Sequence, residues 1–368
     1  MKNYLTATIS AAAVQHNLTA LRQRIAPQVK LCPVVKDNCY GHNLKLLYPI
    51  LAQHADGFIV ASPSEALEIR DYGYTGFILC LLSAYFDETD IQEELIRQQI
   101  TQTVMSKNAL QTIAATAQRI QHTAPIHLKI DSGMGRLGVA AHQANALFNL
   151  IDQTPCVHLT GAYTHFATSD DPDPTYLHQQ LTTFLNTLPK NRALIRHAAN
   201  TAALIHQPQS HLDLVRPGLS VYGCHYAEHL RPHLDLQPCM SVHAQIIAIK
   251  KMPAGSFSGY GRTHQYQHDS RVAVVPIGYG DGYFRALSNR ALVHIHGQPA
   301  PVCGRVSMDQ MTVDITHIPQ TQVGDSVEVI SNRADAPNSI ENLARLANTI
   351  PYEITCHMGR NLRHQLID

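Results

Sequence analysis

This sequence predicts an α/β fold: an N-terminal (β/α)8, TIM-like barrel followed by a mainly antiparallel β C-terminal domain. Two patterns predict it. Between residues 31 and 215, eight short apolar runs alternate with stretches of helical periodicity, the pattern that builds a parallel sheet. After about Arg231 the alternation stops, and segments with hydrophobicity at every other residue take over, separated by glycine and proline turns.

In chain order, Ala13, Val14, Leu18, Leu21 and Ile25 fit one face of a helix over 10–26, with Ser10 as its N-cap. Residues 31–35 form the first apolar run and close at Lys36, before a polar turn with Asp37, Asn38, Gly41 and His42. Runs at 57–61, 77–82, 101–105 and 126–130 follow, each trailed by a helical stretch. Runs at 157–163 and 193–195 continue the series, and 212–215 ends it in Arg216. Eight units in about 190 residues close into a barrel more readily than they spread into an open sheet. Beyond it, HAQIIAIKKM, RVAVVPIGYG, MTVDIT and DSVEVI read as strands, and only 339–347 reads as a helix. The expected domains are 1–231 and 232–368.

Composition narrows the function. A length of 368 residues suits two domains. Twenty-eight basic residues balance 28 acidic ones without a like-charge run, which argues against nucleic acid or an anionic membrane as partner. The 23 histidines form no HExxH or paired-ligand spacing, so no metal site is expected. The eight cysteines form no CxxC pair and read as reduced thiols of a cytoplasmic protein. Residues 1–18 lack the apolar core of a leader, and no run is long enough to span a membrane.

Functional side chains of a barrel collect at the carboxyl ends of its strands. Those ends carry Lys36 with Tyr40 beyond it, Lys129 and Asp131 with Arg136 in the loop, and His165. They also carry His197 with Asn200 and Thr201, and finally Arg216 before Pro217-Gly218. Such a rim suits an anionic ligand with a phosphate and a carboxylate. Residues 133–138 match GxGxxG, but they sit in the fifth unit, and no acidic strand end follows about 20 residues on. Residues 278–283 (GYGDGY) read as a tight loop for close backbone approach rather than a phosphate cradle.

Taken together, VVKDNCYGHN, HLKIDSGMGRLG, THFAT, HAANTAAL, VRPGLSVYG, SGYGRTH, PIGYGDGY and GRVSMDQMTVD resemble, in order and spacing, the motifs of the alanine racemases. These are pyridoxal-phosphate barrel enzymes with an appended β-domain, and the resemblance covers nearly the whole chain. It implies that Lys36 forms the Schiff base with pyridoxal 5'-phosphate. It further implies that Tyr40, His165, Asn200, Thr201, Arg216, Gly218, Leu219 and Tyr352 complete the cofactor site, with Thr201 in place of the more usual serine. Arg216 would face the pyridine nitrogen; a guanidinium keeps its proton, so the ring stays a weak electron sink, which suits racemisation over transamination.

Inverting a stereocentre needs a base on each face. The resemblance assigns these to Lys36 and Tyr260, the latter from the second subunit of a homodimer, helped by a polar chain of His165 and Arg216. Arg136 would contact the substrate carboxylate, with Lys129 positioning it; in some relatives that lysine is carbamylated. Tyr279, Met308 and Asp309 would close the substrate pocket from the partner subunit. The implied activity is interconversion of L- and D-alanine for peptidoglycan. The alternatives are a broad-specificity or serine-preferring racemase, a non-catalytic pyridoxal-phosphate-binding protein, and a barrel decarboxylase.

The chain departs from the family pattern at Asp37 and Cys39, where alanines are usual, and at Asn43, which replaces a glycine. Asp37, on a strand, would point away from Lys36 and affect it little. Cys39 beside the site predicts activity sensitive to thiol reagents.

Overall fold

A computed structural model describes residues 4–83, 89–360 and 362–368; residues 1–3, part of the segment weighed above as a leader, lie outside them. The barrel is present. Parallel pairing runs through Gly57–Val60, Phe77–Cys80, Thr101–Val104, Ala124–Asp131, Val157–Tyr163 and Ile195–His197. Lys30–Leu31 pairs in parallel with Leu214–Val215. Backbone bonds join this pair to both ends of the larger sheet. Ile59 N donates to Pro33 O at 3.0 Å, Asp213 N to Arg196 O at 3.0 Å, and Arg216 N to Ala199 O at 2.9 Å. Strands such as Gly57–Val60 and Thr101–Val104 are buried at every residue, because the barrel interior covers one face and the helices cover the other.

The second domain is built on a six-stranded sheet ordered Gln298–Pro301, Leu292–Ile295, Ser326–Ile330, Met240–Gln245, Leu5–Ser10, Arg363–Ile367. A three-stranded antiparallel sheet of Ala248–Met252, Ser270–Val275 and Met311–Asp314 accompanies it.

Two features differ from the sequence expectation. Leu5–Ser10, with alternating burial, is a strand of the second sheet, antiparallel to Met240–Gln245 and parallel to Arg363–Ile367. Leu5–Ser10 therefore belongs to the β-domain, and the chain crosses from it to the barrel through the helix Ala11–Gln23, which Ser10 caps by accepting from Ala13 N. The β-domain also holds a second helix, Pro351–Met358, beside the foreseen Ile340–Ala347. Its buried face is Pro351, Ile354, Thr355 and Met358, a helical spacing that two short turns made hard to see.

This second helix reaches the barrel rim. A Cβ on Gly41 would lie 2.2 Å from Thr355 O, and one on Gly359 would lie 2.1 Å from Gly41 O. The two glycines let the backbones touch, which brings Tyr352 over the site. One buried cluster runs through both domains, from Val34 and Ile59 to Val242, Ile277 and Val327. Among the described residues no helix is long and apolar enough to cross a membrane.

Candidate active site

Lys36 follows the first barrel strand, and the chain then turns the unusual way. Asp37, Asn38, Cys39 and Tyr40 have φ of 50, 54, 56 and 53°. A left-handed turn of L-residues costs about 1–2 kcal/mol per residue, so its neighbours must hold it. Asn38 Oδ1 accepts from Leu44 N at 2.7 Å. His42 Nδ1 lies 3.0 Å from Cys39 O and 3.1 Å from Tyr40 O, and its ring stacks on Tyr222 at 4.6 Å.

This corrects two expectations. Asp37 is not on a strand, so the alternating-face argument does not govern it; its turn instead brings the Tyr40 ring to 5.9 Å from Lys36 Nζ. Cys39 is fully buried, and burial pushes its thiol up to about 12. It is no reactive thiolate beside the lysine.

Lys36 opens into a cavity of about 500 Å³ whose walls carry Lys129, Arg136, Arg216 and His165, with Asp170 as the one acid among the described lining residues. One end carries hydroxyls. Gly218 N donates to Thr201 Oγ1 at 2.9 Å, and the Tyr40 and Tyr352 rings lie 5.6 Å apart. A Cβ on Gly218 would sit 2.7 Å from Tyr40 Oη, so glycine keeps this corner open. Asn200 caps the helix Thr201–His206 by accepting from Ala203 N and donates to Ser169 Oγ at 2.7 Å. Leu219 is fully buried; it packs in the core, and Gly218 is the residue that lines the cavity.

Arg216 stands on the far side, itself 4% exposed. Its Nη2 donates to Thr164 O at 2.8 Å and Ala198 O at 2.9 Å, and its Nη1 to His197 Nδ1 at 2.7 Å. Its Nε–H takes part in none of these. Burial lowers its pKa to about 10, which leaves it protonated at neutral pH. Burial, and then the charges of Arg136 and Arg216, lower Lys129 to about 8. His165 falls to about 3 through burial and then Arg216, Lys129, Arg136 and Lys36, so it is a neutral member of this basic wall.

The GxGxxG loop serves Arg136. The Asp131 carboxylate accepts from Gly133 N at 2.9 Å, Met134 N at 2.8 Å and Gly135 N at 3.0 Å. Burial works to raise the pKa of Asp131, but these three donors outweigh it and hold the carboxyl below its usual range. The glycines wrap a carboxylate rather than a pyrophosphate and present Arg136 to the cavity.

Four of the expected site residues lie elsewhere. Tyr260 is 72% exposed and Met308 57%; Tyr279 and Asp309 are also exposed, and none of the four lines the cavity of its own chain. Tyr279, Met308 and Asp309 lie on two adjoining loops. Tyr279 N donates to Ser307 O at 3.1 Å and Gly280 N to Met308 O at 2.8 Å. A Cβ on Gly278 would lie 2.1 Å from Ser307 O, which explains the tight glycine loop.

Sequence reasoning missed the support behind Arg216. Tyr163 stacks on His197 at 4.7 Å, and His127 Nδ1 meets His197 Nε2 at 3.0 Å. Period two carried the signal: His127 lies two residues before Lys129 and Tyr163 two before His165, on the same inward faces. Tyr226 and Ile350 at the cavity wall had no comparable signal.

Residues 9–226 match the alanine racemase N-terminal domain and residues 239–366 the alanine racemase C-terminal domain. The alanine racemase of Syntrophobacter fumaroxidans is 37% identical over 358 residues, spanning 96% of this chain and 95% of the relative. That of Desulfovibrio desulfuricans is 35% identical over 362 residues, 97% and 96% of the two chains. The crystal structure of alanine racemase from D-cycloserine-producing Streptomyces lavendulae superposes with a TM-score of 0.94 at 32% identity, covering 100% of this chain and 98% of that one. The biosynthetic alanine racemase of Pseudomonas aeruginosa gives 0.90 at 31%, with 99% of each chain covered.

Fold and relatives together define an isomerase of the racemase kind. The chain belongs to the alanine racemase family.

Proposed function

We propose that this protein interconverts L- and D-alanine, supplying D-alanine for peptidoglycan, with pyridoxal phosphate linked to Lys36 in a homodimer. The observation that carries the reading is the cavity itself, where Lys36 stands among Lys129, Arg136 and Arg216 with a hydroxyl-lined end. The residues fit the cofactor. Gly218 leaves a corner that a Cβ would fill, beside the hydroxyls of Tyr40, Thr201 and Tyr352 for a phosphate. The Nε–H of Arg216, which has no bond among the described residues, would face a ring nitrogen. The chemistry the cofactor supplies when bound is electron withdrawal from the substrate's Cα.

The chain's own groups do the rest. Arg136 holds the substrate carboxylate, steadied by Lys129. Lys36 Nζ moves the proton on one face of Cα, and the partner subunit's Tyr260 moves it on the other. His165, neutral and beside Arg216, supports that tyrosine. The exposure of Tyr260, Tyr279 and Met308 on the β-domain supports their reaching into a second copy, with each surface used twice in a two-fold pair. All eight cysteines are unpaired, which supports a reducing, cytoplasmic setting.

The test is a visible absorption spectrum of the purified protein, followed by racemisation of each alanine enantiomer in deuterated water with serine as competitor. A cofactor band, with deuterium entering Cα from both sides, is the expected result. A band without racemisation would refute the proposal, and a preference for serine would favour the broad-specificity alternative.

A further inference from the structure

Asp37 N, the donor of the peptide that joins Lys36 to the left-handed turn, is bonded to Glu65. Its distance to Glu65 Oε1 is 2.7 Å. The other carboxylate oxygen, Oε2, accepts from Ala61 N at 2.8 Å and Ser62 N at 3.0 Å. Glu65 is thus the third residue of a capping box at the start of the helix Pro63–Asp71, and it also ties the end of the second barrel strand to the residue after Lys36. Inside the turn, Cys39 N donates to Val35 O at 2.9 Å, Gly41 N to Asp37 O at 2.9 Å and Asn43 N to Asn38 O at 3.0 Å. None of these bonds involves the Lys36–Asp37 peptide N–H.

We infer that Glu65 is a positioning residue for Lys36. A hydrogen bond to the Lys36–Asp37 peptide N–H fixes the plane of that peptide and with it the ψ of Lys36. That angle, where the chain swings from strand into a left-handed turn, sets the direction in which the lysine enters the cavity. Both oxygens are needed, one for the strand end and one for the turn. An amide at this position has one accepting oxygen and cannot serve both. An aspartate keeps the charge but is one methylene too short to span strand end and turn. The inference rests on the reading that Lys36 carries the cofactor.

The experiment compares wild type, Glu65→Gln, Glu65→Asp and Ser62→Ala as full-length, cofactor-loaded proteins. Ser62→Ala removes the capping hydroxyl of the same helix but leaves Asp37 N bonded. Borohydride reduction and peptide mass spectrometry measure how much cofactor is joined to Lys36 and how fast apoprotein acquires it. Steady-state assays separate kcat from KM, and thermal melts report folding. Both Glu65 variants are expected to join cofactor more slowly and to lose about tenfold or more in kcat, with KM changed by less than about threefold. Ser62→Ala should show neither change.

Normal joining and normal kcat in a folded Glu65 variant would overturn the inference. So would equal losses in Ser62→Ala, which would trace the effect to the helix cap. If either Glu65 variant does not fold, the other and the apoprotein joining rate decide. A wild type that joins no cofactor at Lys36 would instead refute the proposed function.

Discussion

Arg216 Nη1 lies 2.7 Å from His197 Nδ1, and both side chains are buried. The contact fixes more than a distance. A guanidinium only donates, so His197 Nδ1 must accept, and its proton must sit on Nε2. That proton then points to His127 Nδ1 at 3.0 Å, which places the His127 proton on Nε2, an atom with no partner among the described residues. One arginine sets the tautomers of two histidines behind it. Replacing His197 by leucine strips a buried charge of a hydrogen bond, a loss of about 1.5–3 kcal/mol. His127→Leu leaves only the neutral His197 Nε2–H without its acceptor and should cost less, about 1–2 kcal/mol. Urea unfolding and kcat/KM should rank the two variants in that order.

Acid should destabilise the fold through these two histidines and through His42 and His165. Burial first, with nearby cations as a lesser cause, lowers His127 to about 3 and His165 to about 3. Burial lowers His42 to about 4 and takes His197 well below its usual value. Their unfolded value is about 6.5. Their contribution is therefore complete above that pH and is lost as pH falls toward 4, because only the unfolded chain takes up the protons. Each neutral buried histidine adds up to about 1.4 kcal/mol per pH unit to the slope. Stability measured by denaturant between pH 7 and 4.5 should fall steeply, and His42→Phe should flatten the fall.

Gly218→Ala should act on the phosphate end of the cavity. The added Cβ, 2.7 Å from Tyr40 Oη, displaces the tyrosine hydroxyl at a cost of about 1–3 kcal/mol. Cofactor affinity, measured by equilibrium dialysis of the apoprotein, should weaken about tenfold or more. Thr201→Ser, which keeps the hydroxyl bonded to Gly218 N, should stay near wild type.

Alkylation should spare the thiol beside Lys36. Cys39 and Cys80 are buried and pushed up to about 12, and thiolates are the reactive form. After iodoacetamide treatment of the folded protein at pH 8, Cys39 and Cys80 should stay unmodified while the half-buried Cys156 and Cys356 are the thiols open to reagent; loss of activity traced by mass spectrometry to Cys39 would contradict its burial.

The barrel and most of its rim were legible in the sequence because buried parallel strands show as short apolar runs, and functional residues sit where those runs end. The left-handed turn after Lys36 was not legible. Asp37, Asn38, Gly41 and His42 read as a polar turn, but nothing local signals its left hand, and one of the groups that hold it, Glu65, lies 28 positions later. Leu5–Ser10 was missed for a similar reason. Its partners, Met240–Gln245 and Arg363–Ile367, lie more than two hundred residues away. Tyr260, Tyr279 and Met308 were legible as motif residues, yet one chain alone leaves them on its surface.

The proposed homodimer requires that Lys36 and Tyr260 of one site come from different chains. Coexpress a Lys36→Ala chain with a Tyr260→Phe chain under separate tags, and purify the mixed dimer. If Tyr260 works across the interface, one of its two sites keeps both native residues and the other loses both. The mixed dimer should then recover about half the wild-type rate, while each parent homodimer stays nearly inactive. If Lys36 and Tyr260 of one chain served the same site, every site would lack one of them. A mixed dimer as inactive as its parents would contradict a site shared between chains.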